Sequence, residues 1–369
     1  MNSPVIGGGP GPLAGRTVEI CDTTLRDGSH SMAHQFTTAN VEEITAGLDA
    51  AGVDVIEVTH GDGLGGSSFN YGFGRCDDLD LLGAARRNVT RAKLAALLLP
   101  GIGIIHHLQQ AADTGIDVVR VATHCTEADI AIQHLQAAKR LDLEAVGFLM
   151  MSHMASPVDL GKQAVIMRDA GADTVYVVDS AGALLPHQVV ARVEALRDAL
   201  GDDTRIGMHA HNNLGCGVAN ALAAAAAGAS ILDGSCHGLG AGAGNAATEV
   251  LVAALDRTEA TTSVDTLGLI DVAEDVVARV CEGHLPSLDR GSLLLGYAGI
   301  YSSFLLHGRR AAAKYGVPEA EIFLELGRRR VVGGQEDMII DVAIELAKRG
   351  LIRLNACRAR FASARAAGK

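Results

Sequence analysis

The stretch DAAGVDVIEV (residues 49–58) ends a helical pattern at a glycine and, after a short polar step, begins a β-branched strand. The same order recurs in ADTGIDVVRV (112–121), RDAGADTVYVV (168–178) and AAAGASILDG (225–234). Glycine suits the end of a helix because it adopts the left-handed conformation without a Cβ penalty. The strands are apolar nearly throughout, which is typical of parallel strands that are covered on both faces. The repeat therefore predicts an α/β protein in which strands and helices alternate.

Strand-like segments between and around these repeats bring the number to eight. They lie near residues 17–24, 53–60, 93–100, 117–124, 144–151, 174–180, 204–211 and 230–236. Eight β/α units over roughly 240 residues match a TIM (β/α)8 barrel, which typically needs about 250. The alternative is a doubly wound open sheet, but no GxGxxG motif follows the first strand. We therefore expect a TIM barrel.

The strand pattern stops after residue 265, and the remaining segments have helical patterns punctuated by proline and glycine. This change predicts a C-terminal helical extension docked on the barrel. The expected division is a flexible Gly/Pro-rich tail over 1–16, a catalytic barrel over 17–264, a helical domain over 265–352 and a basic tail over 353–369.

Composition limits the classes of protein that need to be considered. The formal net charge of −12 argues against a nucleic-acid-binding protein, which needs a concentrated basic surface. The most apolar segment, LAALLLPGIGII, is short and interrupted, so no membrane span is expected. Seven cysteines without a CxxC pair argue against a disulfide framework or a structural zinc site and favour the reducing cytoplasm.

In a TIM barrel, the active site lies at the carboxyl ends of the strands. The first strand leads to Arg26, Asp27 and His30, and the seventh ends with His209 and His211. Residues i and i+2 of a strand point to the same side, so both imidazoles should face the barrel axis. Asp27, His209 and His211 would then offer one carboxylate and two imidazoles to a divalent cation such as Mn²⁺, Zn²⁺ or Fe²⁺.

Other polar residues near the strand ends leave alternatives open. His60, His124 and His153 either line the rim or form hydrogen bonds with loops. Tyr297 and Tyr301 have helical spacing and either pack or reach into the barrel mouth. The loop GLGAGAGNAATE (238–249) either forms a tight turn or holds a phosphate, although it carries no lysine or arginine.

Several motifs together resemble one family of enzymes. They are DTTLRDGSH, EVTHGDGLGGSSFNYGFG, THCTEADI, YVVDSAGAL, MHAHNNLGCGVANALAA, GSCHGLGAGAGN and GYAGIYSSF. The chain resembles the 4-hydroxy-2-oxovalerate aldolases, the pyruvate-aldolase branch of the DRE-type TIM-barrel metallolyases, from about residue 17 to about 350. The resemblance implies retro-aldol cleavage of a 4-hydroxy-2-oxoacid to pyruvate and a short aldehyde, in the meta-cleavage catabolism of aromatic compounds or steroids.

The resemblance also implies roles for individual residues. Arg26 would stabilise the pyruvate enolate, and His30 would act as the general base, since imidazoles titrate near neutral pH. Tyr301 would be the third catalytic residue and would help to orient the substrate. The residues that contact the substrate would be Arg26, Asp27, Ser180, His209, Tyr301, Leu97 and Leu99. The two leucines would form an apolar wall, although a plain core position fits them nearly as well.

A metal and a partner protein follow from the same resemblance. Hard oxygen-bearing substrates and a mixed nitrogen and oxygen site favour Mn²⁺. The helical domain would dock an acylating acetaldehyde dehydrogenase, forming a heterotetramer that channels the aldehyde. Its apolar residues, such as Leu293–Leu295 and Phe304, could instead cover the side of the barrel.

Competing functions remain open from sequence alone. An acetyl-CoA-dependent synthase or lyase of the isopropylmalate synthase type would share the arginine–aspartate pair and the H-x-H motif. Metal-dependent hydrolase barrels place H-x-H on strand one rather than strand seven, and a catalytically inactive scaffold would not need its aspartate. A Schiff-base aldolase needs a lysine at the carboxyl end of a strand, whereas Lys93 begins its strand.

Overall fold

The structure, a computed structural model, describes residues 11–349. Eight parallel strands follow one another in chain order around a closed barrel, and the last pairs with the first. The strands are β1 (Glu19–Asp22), β2 (Val55–Glu57), β3 (Lys93–Leu98), β4 (Val118–His124), β5 (Glu144–Met150), β6 (Thr174–Asp179), β7 (Arg205–Ala210) and β8 (Ile231–Gly234). The TIM barrel predicted from the repeats is confirmed.

Each strand is followed by a helix on the outside of the barrel. The helices are α1 (Thr38–Ala50), α2 (Asp78–Arg86), α3 (Ile105–Thr114), α4 (Ile132–Arg140), α5 (Pro157–Asp169), α6 (Pro186–Leu200), α7 (Gly217–Ala227) and α8 (Thr248–Arg257). Short 3₁₀ turns at Asp27–His30, Ala128–Ala131, Ser152–Met154 and Cys236–Gly238 follow β1, β4, β5 and β8. The four repeat glycines, Gly52, Gly115, Gly171 and Gly228, have φ values between 88° and 122°, as the motif predicts.

Two apolar layers hold the barrel. The inner layer fills the barrel and includes Val118, Val146, Phe148, Tyr176 and Ile231. The outer layer lies between the strands and the ring of helices and is the largest apolar cluster of the described residues. Since both faces of the strands are buried, their nearly continuous apolar sequence is explained.

Helices alone follow the barrel among the described residues beyond 265. They are α9 (Thr266–Asp271), a π-helical turn (Val272–Val277), α10 (Ala278–Val280), α11 (Arg290–Ala298), α12 (Phe304–Tyr315), α13 (Glu319–Arg329) and a helix over 337–349. Leu269, Ala273, Val277 and Cys281 belong to the outer layer of the barrel. The helices from α11 onward instead have their own apolar core.

That second core changes the interpretation of the apolar residues in the extension. Leu295 and Phe304 are fully buried inside it, so they hold the helical domain together and are not a docking surface. Leu293 differs, since it is 48% exposed.

The two predicted tails are only partly described. Within residues 11–16, Leu13 is buried and its amide donates to the Thr258 carbonyl, so this part packs on the end of α8. Residues 1–10 and the predicted basic tail at 353–369 lie outside the described residues. Across the described part of the chain, we find no helix whose length and apolar character would allow it to cross a membrane.

Candidate active site

The carboxylate and the two imidazoles predicted as metal ligands meet at the mouth of the barrel. Asp27 begins the 3₁₀ turn after β1, while His209 lies in β7 and His211 directly follows that strand. The Asp27 Oδ2 atom is 3.2 Å from His209 Nε2 and 3.4 Å from His211 Nε2. The strand alternation therefore does turn both imidazoles toward the axis, where Asp27 meets them.

This donor set fits a divalent cation. The three residues are at most 6% exposed, and one ligand atom from each lies within 4.8 Å of the others. Imidazole nitrogen and carboxylate oxygen are ligands of Mn²⁺, Fe²⁺ and Zn²⁺, and three protein ligands leave positions for substrate.

Burial and neighbouring charges set the protonation states of these groups. Although burial alone would raise the pKa of Asp27, the Arg26 cation and the two histidines hold this pKa well below its usual range. Burial lowers the pKa of His211 to about 4. Asp27 is therefore ionised and His211 neutral near neutral pH. Although burial alone would lower the pKa of His209, its contacts with Asp233 and Asp27 raise that pKa, so metal binding there would displace a proton.

A chain of buried ion pairs supports the site from below, inside the barrel. Arg26 Nε donates to Glu57 Oε2 at 2.7 Å, and Arg120 donates to the same oxygen at 2.9 Å. Arg120 also donates to Asp233, whose Oδ2 atom lies 2.8 Å from His209 Nδ1. These ion pairs link Arg26 to His209, a predicted metal ligand, through three charged residues that are at most 1% exposed.

Sequence reasoning missed these three residues, although each left a signal. Glu57 in VIEV, Arg120 in VVRV and Asp233 in ILDG are charges inside otherwise apolar strands. A charge that is buried in a barrel needs a partner, so three such charges on separate strands indicate an internal ion-pair network. Asn245 was also missed, and its Nδ2 donates to Asp27 Oδ2 at 2.9 Å.

The other predicted site residues line a narrow cavity together with the three predicted metal ligands. His30 Nε2 lies 3.8 Å from Asp27 Oδ1, and the Tyr301 hydroxyl lies 3.2 Å from Met150 Sδ. The cavity is also lined by Arg26, Leu97, Leu99 and Ser180. The Ser180 hydroxyl accepts a hydrogen bond from the Met151 amide at 3.1 Å.

The helical domain brings Tyr301 to this cavity. Tyr301 lies in the segment between α11 and α12, and the next residue, Ser302, donates to the Ser180 carbonyl at 2.7 Å. Burial raises the pKa of Tyr301, so its phenol is neutral. Tyr297, by contrast, is 74% exposed on α11, so Tyr301 is the one of the two tyrosines that lines the cavity.

The remaining strand-end histidines form hydrogen bonds with loops. His60 pairs with the Gly72 carbonyl at 3.1 Å, His124 with the Thr126 hydroxyl at 2.7 Å and His153 with the Gly299 carbonyl at 3.0 Å. Lys93 lies at the opposite end of the barrel, 2.6 Å from Glu144, where it cannot serve as a Schiff-base lysine.

Comparisons with known proteins agree with this geometry. A family model described as HMGL-like matches residues 17–276, and one described as a DmpG-like communication domain matches residues 286–348. The 4-hydroxy-2-oxovalerate aldolase of Chloroflexus aurantiacus is 57% identical over 330 residues, which are 89% of this chain and 95% of that protein. The 4-hydroxy-2-oxovalerate aldolase 4 of Paraburkholderia xenovorans is 54% identical over 340 residues, which are 92% of this chain and 98% of that protein.

A solved structure shares the fold at low sequence identity. The carboxyl transferase domain of Rhizobium etli pyruvate carboxylase superposes with a TM-score of 0.76 at 18% identity, covering 92% of this chain and 63% of that one. Because the family model matches most of the barrel and the aldolase relatives are more than half identical over most of their length, the chain belongs to the HMGL-like family and, within it, to the 4-hydroxy-2-oxovalerate aldolases.

Proposed function

We propose that this chain is a lyase that cleaves 4-hydroxy-2-oxoacids by a metal-dependent retro-aldol reaction to pyruvate and a short aldehyde. The observation that carries the proposal is the meeting of Arg26 and His30 at the carboxylate of Asp27, which also faces His209 and His211. All five residues line one cavity, which supports roles for them as a fixed cation, a base and a cation-binding donor set. The match to the aldolase family over most of the chain supports the same reaction.

A divalent metal held by Asp27, His209 and His211 would act as a Lewis acid toward the carboxylate and 2-oxo oxygens of the substrate. Mn²⁺ is the metal we propose, because the substrate presents hard oxygen atoms to a mixed nitrogen and oxygen site.

Arg26 and His30 have complementary tasks in this proposal. His30 takes the proton of the C4 hydroxyl, so that the electrons of the O–H bond form the aldehyde carbonyl as the C3–C4 bond breaks. The electrons of that bond move into the pyruvate enolate, and Arg26 faces the oxygen on which the charge develops. Glu57 holds the Arg26 guanidinium in place through its 2.7 Å contact with Nε. Protonation of the enolate at C3 then gives pyruvate.

The remaining lining residues fit substrate binding. Tyr301 and Ser180 stand on the side of the cavity where the helical domain meets the barrel, and we propose that they orient the C4 end of the substrate. Leu97 and Leu99 supply the apolar wall for the alkyl tail of the aldehyde. Leu97 is also part of the inner barrel core, so it has both roles.

The DmpG-like communication domain suggests an interaction with an acetaldehyde dehydrogenase. We propose that the helical domain over 265–352, which follows the catalytic barrel over 17–264, is the docking surface for the acylating form of that enzyme. The two enzymes would form a heterotetramer that channels the aldehyde. A second cavity of about 340 Å³ supports this proposal, since it shares Leu99, Met150 and Tyr301 with the active-site cavity and reaches the helical domain at Val332–Gly334.

The reaction fits meta-cleavage catabolism in the cytoplasm, where the free thiols of the described cysteines would stay reduced.

A pyruvate-release assay tests the proposal. The metal-free protein should be inactive on 4-hydroxy-2-oxopentanoate, and added Mn²⁺ should restore turnover more strongly than Mg²⁺ or Co²⁺. A series of substrates with longer alkyl tails then shows which chain lengths fit against the apolar wall of Leu97 and Leu99. Release of a thiol from acetyl-CoA in the presence of a 2-oxoacid, without any pyruvate release, would instead identify a synthase.

A further inference from the structure

A second group of potential ligands lies beside the active site. One ring nitrogen each from His30 and His34 and one carboxylate oxygen of Asp62 lie within 4.8 Å of one another. His34 and Asp62 are each 9% exposed, and the His30 side chain is 16% exposed. All three line a cavity of about 420 Å³ that adjoins the active-site cavity, so a solvent ion can reach them.

The backbone and the neighbouring side chains hold His34 in place. Ala33 and His34 have φ values of 48° and 61°, a left-handed conformation that is costly for residues with a Cβ atom. The His34 amide donates to the Ser29 carbonyl at 2.8 Å, and the Ser29 hydroxyl lies 3.3 Å from His34 Nδ1. The ring also stacks on His60, with the centroids 3.7 Å apart. The strained turn therefore presents an oriented imidazole.

We propose that His30, His34 and Asp62 form a second cation site, which takes Zn²⁺ and which inhibits the enzyme when occupied. Two imidazoles and one carboxylate, with a fourth position open to solvent, are a ligand set that zinc accepts. The inhibition rests on the proposed function, because Zn²⁺ would occupy the lone pair with which His30 takes the substrate proton. Zinc binding itself depends only on the three side chains.

Equilibrium dialysis against Zn²⁺ alone, using the full chain stripped of metal, tests the site. The wild-type chain should bind two equivalents, one at each site. His211→Asn should lose the first and His34→Asn the second, so that each variant binds one equivalent and the double variant none. His187→Asn is the matched control, since His187 is an exposed histidine on α6, and it should bind two.

Spectroscopy and inhibition give independent readouts. With Co²⁺ as the probe, the visible d–d absorption added by the second equivalent should disappear in His34→Asn. In the Mn²⁺-loaded enzyme, the Zn²⁺ concentration that halves pyruvate release should rise at least about tenfold in the same variant, because the loss of an outer hydrogen-bond partner of a metal ligand alone costs about that much affinity. Asp62→Asn repeats both measurements if His34→Asn does not fold.

Two outcomes would overturn the inference. One equivalent in the wild type that His34→Asn and Asp62→Asn leave in place, or two equivalents still bound by both variants, would show that no second site exists. Two equivalents with no zinc inhibition would remove the inhibitory role alone. Failure of the aldolase reaction would appear as absent pyruvate release in the zinc-free, Mn²⁺-loaded enzyme and would leave the dialysis result intact.

Discussion

At the scale of single residues, the site combines groups that sequence could identify with groups that it could not. That Asp27, His209 and His211 lie together was predictable because strand ends and side-chain alternation are readable from spacing. Glu57 and Asp233 were not, because their function depends on which strands face each other across the barrel interior. A register across the barrel is a property of the closed sheet, and no local pattern encodes it.

The roles of Asp27 and His30 are separable by substitution. Asp27→Asn should lose metal binding and turnover together, because it removes the only anionic ligand of the proposed set. His30→Ala should keep the metal bound and lower kcat by about 10²–10⁴-fold, the usual contribution of a general base. Metal content measured beside pyruvate release checks both variants. Unchanged turnover in His30→Ala would remove His30 from its role.

Asp233 should act on the metal through His209. Its contact with Nδ1 holds the proton on that nitrogen and leaves Nε2 free to face Asp27. Asp233→Asn should therefore weaken Mn²⁺ binding about 10–100-fold, as seen when such outer partners of ligating histidines are lost. A Mn²⁺ titration of activity measures the shift.

The matched control for that variant is Asp22→Asn. Asp22 is a buried carboxylate on the adjacent strand β1 whose partners are the Thr248 hydroxyl and the Thr24 amide. Its loss should change stability and leave the Mn²⁺ dependence of activity in place. Equal shifts in the two variants would mean that Asp233 has only a structural role.

At the scale of helices and strands, the repeat glycines and apolar strands made the barrel predictable. The boundaries of the helices in the C-terminal extension were harder to predict. The segment after residue 265 was expected to be helical, and the π-helical turn at Val272–Val277 interrupts it. The break between α11 and α12, which brings Tyr301 to the cavity, also lies inside one continuous helical pattern. Such breaks depend on packing between elements, so periodicity alone does not place them.

Asp49 ties the end of α1 to the beginning of β3 and should make stability depend on pH. It accepts hydrogen bonds from the Arg91 and Ala92 amides at 2.9 and 2.8 Å and from the Thr90 hydroxyl at 2.6 Å. Burial alone would raise the pKa of Asp49, yet these donors lower it overall. Ionised Asp49 therefore adds stability above its unfolded pKa of about 3.9 and loses it as pH falls through the lower folded value.

Asp49→Asn should consequently lower the free energy of unfolding by about 1.5–3 kcal/mol at pH 7, the range for a hydrogen bond to a charged group. The difference from wild type should shrink as the pH falls below about 4. Urea unfolding across this pH range measures it, and Asp198→Asn, an exposed position with 77% of its side chain accessible, is the control. A difference that grows toward acid pH would contradict this sign.

At the scale of the whole molecule, two cores meet at one active site. The barrel supplies the proposed metal ligands, Arg26 and His30, while the helical domain with its separate core supplies Tyr301. Their junction is polar: the Ser302 hydroxyl contacts the Ser180 carbonyl at 2.7 Å and the Asn213 amide at 2.8 Å. A substitution that disturbs the second core should therefore lower the rate of pyruvate release without unfolding the barrel.

Gly308 gives a way to test that separation. It lies in α12, and a Cβ atom there would stand 2.1 Å from Cε1 of Phe323, a core residue of α13. Gly308→Ala should destabilise the helical domain by about 1–3 kcal/mol through overpacking. Protease cleavage should then increase beyond residue 285 while the barrel stays resistant, and pyruvate release should fall as Tyr301 loses its place. Phe323→Leu in the same chain should restore both by making room.

The control for Gly308→Ala is Gly83→Ala in α2, where the nearest atom to the added Cβ is 3.8 Å away. Because alanine favours a helix over glycine by about 1 kcal/mol, this variant should be as stable as the wild type or slightly more so. Loss of the barrel and the helical domain in a single cooperative step in Gly308→Ala would show that the two cores fold as one unit. Two separate steps would mean that Tyr301 can be withdrawn from an otherwise intact metal site, and metal binding should then survive the loss of turnover.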